Sequence, residues 1–150
     1  MNDAERRLYD AIETKIRAYA KDDYFKNIDL VTKLRRGRIT RLRQCATYAK
    51  LLNNALENYE ENLIDADSEL RRTIREYDNI EKPAKLIHLM AFLESFRKAN
   101  LKVVIWANFV GTIEMISSHL KSIGVQNKVI YGQTPSEHMS SKEEENRESR

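Results

Sequence analysis

The stretch from Leu101 to Gly132 limits most sharply what this chain can fold into, because it reads in quick succession as strand, helix, strand and glycine turn. Lys102-Val103-Val104-Ile105-Trp106 is β-branched and aromatic; Gly111 and Thr112 then open a helical pattern with Ile113, Ile116 and Leu120 on one face. Gly124 ends that helix, Asn127-Lys128-Val129-Ile130-Tyr131 regains strand character, and Gly132-Gln133-Thr134-Pro135 breaks it. The pattern predicts a βαβ unit with parallel strands. Strands so connected place their carboxyl ends on one sheet edge, where ligands bind in open α/β sheets. Asn108, Phe109, Gly132 and Thr134 fall at that edge and are the first candidates for a binding site. Trp106 and the other apolar strand residues are expected in the core.

The chain before this unit reads as helical. Leu8, Ala11, Ile12, Ile16 and Tyr19 recur at helical spacing from about Asp3 to Ala20. A longer pattern runs from about Tyr24 to Leu52, with Gly37 marking a kink or a break between two helices. A third helix carries Leu70, Ile74 and Tyr77, and Pro83 stops it and opens the next, whose apolar face is Leu86, Leu89, Met90, Leu93 and Phe96. The fold expected is therefore α/β, a mainly helical first half leading into the start of a parallel sheet. Three regions follow: helices over 1–82, the βαβ unit over 83–135, and a polar tail over 136–150 that cannot pack as it stands.

Charge bears on partners through its placement more than its total. The balance is only +3, yet Lys33, Arg35, Arg36, Arg38, Arg41 and Arg43 follow one another with no acid among them. Such a run is either a solvated helix face or a contact for a polyanion, and Arg35, Arg38 and Arg41 are candidates for phosphate contacts. The single cysteine, Cys45, stands among Leu42, Ala46, Ala49 and Leu52, so it reads as a buried small hydrophobe. One cysteine fits a reducing cytoplasm, and no apolar run approaches membrane-spanning length.

Catalytic chemistry is missing from the residues. Gly37, Gly111, Gly124 and Gly132 are the only glycines, so no phosphate loop of G-x-x-x-x-G-K-[ST] or G-x-G-x-x-G spacing exists. His88, His119 and His138 are scattered and, with one cysteine, give no zinc spacing. Alone, this chain is not a self-sufficient enzyme.

The order of several short motifs nevertheless resembles one family. Lys85-Leu86 and its amphipathic helix, then Lys102 to Phe109, then Tyr131-Gly132-Gln133-Thr134, resemble the opening of the second motor lobe in Swi/Snf-type helicase-like ATPases of superfamily 2. Upstream, Leu8-Tyr9 sits where that family has Gln-x-x-Leu-Tyr, and Leu42-Arg43-Gln44 with Leu51-Leu52 resembles its Leu-Arg-Gln and His-Pro-x-Leu-Leu segment. Glu5 replaces the usual Gln, Ala49 the usual Pro, and Trp106-Ala107-Asn108-Phe109 varies Phe-Ser-x-Phe. After Thr134 the family soon reaches an arginine, where this chain has Arg147 and Arg150.

The resemblance implies a DNA-dependent ATPase that moves along double-stranded DNA, with ATP and magnesium held between two RecA-like lobes of the full-length parent. It implies that the chain is a fragment: the first lobe would precede Met1, and the remaining strands and arginine finger would follow Arg150. In this frame Asn108, Gly132 and Thr134 face the phosphates of one DNA strand. Two strands alone are also marginal, which independently favours truncation. A different class of reading, a non-enzymatic adaptor whose helices bind a partner, predicts genuine termini and a stable fold without further chain.

Overall fold

The computed structural model describes residues 1–23, 26–53 and 69–132. It corrects the expected fold class: 71% of the described residues are helical, and none of them forms a strand or sheet. The helices are α1 (Asp3–Asp22), α2 (Ile28–Cys45), α3 (Glu69–Arg75), α4 (Tyr77–Ile80), α5 (Ala84–Lys98) and α6 (Val110–Ser122), with a 3-10 turn at Ala49–Leu52. The chain divides into two compact units, Met1–Val104 and Ile105–Arg150, so α5 belongs with the helices before it.

The first unit is built on α1. Its buried stripe, Ala4, Leu8 and Ile12, meets Cys45 from α2, Ala49 and Leu52 from the 3-10 turn, Ile74 from α3 and Tyr77 from α4. The recurrence at i, i+4 and i+8 that marked this helix in sequence is the face it buries. α2 runs unbroken through Gly37, because Leu34, Arg38 and Cys45 on either side are all anchored inward. Cys45 is fully buried, and its thiol donates to the Glu5 carbonyl at 3.6 Å.

Glu5 itself is the unusual core residue. Its carboxylate is 1% exposed, and three donors converge on it. Oε2 accepts from the Asn2 backbone N–H at 2.9 Å, while Oε1 accepts from the Tyr77 hydroxyl at 2.9 Å and the Ala84 N–H at 3.1 Å. The neighbouring Ala4 N–H donates to Glu81 Oε1 at 3.1 Å, and the Asn2 side chain donates to the Lys82 carbonyl. The first N–H groups of a helix lack internal partners and attract negative charge. Here two carboxylates satisfy the starts of α1 and α5 together. Burial, then the bond to Glu5, holds the Tyr77 hydroxyl protonated far above the usual range. Burial likewise pushes the Cys45 thiol up to about 12, with Glu5 and Asp10 adding to the effect.

α5 and α6 end alike. Asn100 and Gly124 both take positive φ, at 53° and 75°. Leu101 N–H returns to the Phe96 carbonyl and Asn100 N–H to that of Arg97; Val125 and Gly124 repeat the pattern on Leu120 and Lys121. Each cap releases one of the stretches expected to be strands. Residues 101–107 and 125–131 have no regular secondary structure, which overturns the βαβ unit. Their side chains explain the failure: Val104 is 77% exposed, Ile130 57% and Trp106 92%. Such runs are stabilised as strands by cross-strand neighbours and a covered face, and an isolated pair is marginal in water. Trp106, expected in the core, lies outside it.

Two measurements follow from this arrangement. Replacing Glu5 with Gln leaves at least one of the three converging donors facing an amide N–H. Urea titration of Glu5→Gln should then show a loss of about 1–3 kcal/mol, with faster labelling of the Cys45 thiol by a disulfide reagent. Trp106 is the only tryptophan, so native fluorescence should be red-shifted and quenched by iodide nearly as well as in urea; a blue-shifted, protected emission would contradict the exposed position.

Candidate nucleic-acid interface

The six residues singled out for phosphate contact fall into two groups that belong to different units. Asn108 and Gly132 lie in the second unit, and Thr134 lies outside the described residues. Asn108 is exposed and precedes α6, but the N-cap position falls on Phe109, whose φ and ψ of −126° and 131° are extended and whose side chain makes no capping bond. The Phe109 carbonyl accepts from Thr112 and Ile113 N–H at 3.0 and 3.2 Å. Asn108 is thus not the cap that its position beside the helix suggests. Among the described residues its amide makes no hydrogen bond, and it stands beside a helix start that no side chain caps. A Cβ at Gly132 would meet nothing within 4 Å, and its φ is not in the left-handed region. Neither the space around Gly132 nor its φ requires a glycine there.

The second unit is ordered around α6 by Asn127. The Ser117 hydroxyl donates to Asn127 Oδ1 at 2.6 Å, and the Asn127 amide returns to the carbonyls of Ser117 at 3.4 Å and Val125 at 3.1 Å. Asn127 was read from sequence as the first residue of a strand. In the structure it is the clamp that folds the chain after Gly124 back onto α6.

In the first unit, α2 separates the basic run into two sides. Arg38 points inward: it is 3% exposed, and its guanidinium donates to both Asp23 oxygens, at 2.6 and 3.0 Å. Lys26 joins the same carboxylate at 3.2 Å. This planar, bidentate pairing is the geometry in which Arg serves better than Lys. It holds the end of α1 against α2 and leaves Arg38 no open route to a phosphate. Arg41 is half-buried and donates to Gln44 Oε1 at 2.7 Å. Arg35 is exposed, as are Arg36 and Arg43, which the sequence reading did not select as contacts. The signal that separates them was available. Arg38 falls one turn after Leu34 and two before Cys45 on the buried stripe, whereas Arg36 and Arg43 fall on the opposite side and Arg35 on the flank between.

Among the described residues no group of three His, Cys, Asp or Glu is placed to hold a metal ion. No described helix is long and apolar enough to cross a membrane. None of the protein families, curated proteins or solved structures compared with this chain matches it.

The Arg38 guanidinium, and secondarily Lys26, holds the Asp23 carboxyl below the usual carboxylate range. A depressed carboxylate contributes stability that is complete above its unfolded value of about 3.9 and is lost as pH falls through the folded one. Arg38→Gln should cost about 3 kcal/mol near neutrality, because it removes the bidentate partner of a buried carboxylate and leaves it Lys26 alone. The gap between wild type and variant, followed by urea titration, should hold from neutrality to about pH 5 and close progressively below about pH 4.

Proposed function

We propose that this chain is a section of a DNA-dependent ATPase of the Swi/Snf helicase-like family, contributing contacts to the backbone of double-stranded DNA and inactive by itself. The observation that supports this reading best is the placement of the motif residues that suggested it. Leu8 and Leu52 lie at the centre of one core with Leu42 against it, so motifs far apart in sequence serve one scaffold. The two departures fit the same scaffold. Ala49 occupies the first position of the 3-10 turn, which a proline would also suit. Glu5 occupies the third position of α1, where either Glu or Gln completes a capping box.

The second unit adds what a phosphate contact requires. Asn108 is exposed beside the uncapped start of α6, a place where amide and backbone N–H groups hold phosphate oxygens without reading bases. Thr134 and Gly132 belong to the same proposal through the family motif. The apolar side chains of Val104, Trp106 and Ile130 are then surfaces that the remaining lobes of the motor cover. ATP and magnesium are cofactors of that whole motor, with no ligand for either assigned in this chain.

The helical architecture favours a second reading, a non-enzymatic adaptor, since the core of Met1–Val104 is built from helices and one turn alone. One experiment separates the two. The reading frame is sequenced through both ends and the encoded protein is assayed for ATP hydrolysis with and without duplex DNA. The motor reading expects a phosphate loop and an Asp-Glu motif upstream, DNA-stimulated turnover, and DNA affinity weakened about threefold to tenfold by Asn108→Ala. Start and stop codons flanking Met1 and Arg150, with no motor motifs nearby, would sink it in favour of the adaptor.

A further inference from the structure

The outward side of α2 carries several exposed basic side chains and, after Asp29 in its first turn, no acidic one. Arg35 and Arg43 stand one helical turn before and after Ile39, and Arg36 lies three residues before it, so all four side chains share one exposed face. Among the described residues Arg35, Arg36 and Arg43 form no ion pair and no side-chain hydrogen bond. No Asp or Glu occurs from Leu30 to Asn53. The inward side of the same helix disposes of its charge differently, with Arg38 neutralised by Asp23. Three guanidinium groups without an ion-pair partner among the described residues repel one another on this face, and only Arg43, in the last turn of α2, is favoured by the helix dipole.

We infer that this face, through Arg35, Arg36 and Arg43, is a docking surface for the phosphate backbone of a nucleic-acid duplex. Charge complementarity selects a polyanion. The three arginines span about 12 Å along the helix axis, over which a DNA duplex presents several phosphates at about one per 3.4 Å of each strand. Guanidinium groups pair with such oxygens in a bidentate fork. The exposed Ile39 between them is a single apolar side chain and calls for no apolar partner. The inference rests on the DNA reading above only in choosing nucleic acid among polyanions.

The test measures binding of the whole 150-residue chain to a fluorescent duplex of about 20 base pairs as a function of salt, with poly-L-glutamate as a second probe. Wild type is compared with the triple variants R35Q/R36Q/R43Q and R35K/R36K/R43K, each checked for retained helix by circular dichroism. The Gln variant should lose about 2–3 from the slope of log affinity against log salt, since each neutralised phosphate contributes about 0.9. The Lys variant should retain the slope, which a merely structural role for these arginines would not require. An unchanged slope in the Gln variant overturns the assignment of this face. Equal affinity for poly-L-glutamate overturns the choice of nucleic acid, and no binding of the duplex at low salt overturns the proposal altogether. None of these results decides the motor reading, which is settled separately by the reading frame and the ATPase assay.

Discussion

The first unit depends on a carboxylate that water does not reach. Glu5 gathers the start of α1, the hydroxyl of Tyr77 and the start of α5 onto two oxygens. A buried charge is costly unless its hydrogen bonds are complete. Here they are supplied by groups that would otherwise be orphaned, two of them backbone donors at helix starts. Removing the Glu5 carboxylate leaves all three donors without their acceptor. The apolar core beneath, from Leu8 to Tyr77, supplies most of the burial, but it does not say where α5 begins. Glu5 and Glu81 do.

A second polar fixture, Asp23 with Arg38 and Lys26, holds the other end of α1. The helix is thus fastened at both ends by charge and along its length by apolar contact. This division explains why the basic run on α2 has two fates. One arginine lies on the side that α1 covers and is used there, while three away from that side remain unmatched. A charge run read only as a count hides that difference.

Helical periodicity was legible from the residues because each helix carries its own signal. The stripe of Leu8 and Ile12, the Pro83 start and the Gly124 stop all act within a turn or two. The two strands expected from sequence are absent among the described residues. Val103 to Trp106 and Val129 to Tyr131 carry β-branched and aromatic residues, but a strand is completed by a neighbour, and among the described residues none is present. The same limit applies to the candidate site. Which residue caps a helix is set by the backbone, and at α6 the N-cap falls on Phe109, one residue after Asn108. The stripe of Leu34 and Cys45 marks Arg38 as the inward arginine of α2, but that its partner there is Asp23 is shown only by the structure.

Fastening α1 by charge at its two ends has a consequence for how such a chain can vary. Leu8 and Ile12 sit in an apolar cluster that other hydrophobic side chains of similar volume would also fill. Glu5 and Asp23 differ from them, because each holds donors whose positions are fixed. The apolar stripe can therefore drift over many generations, whereas a change at either carboxylate has to be matched by its partners at the same time.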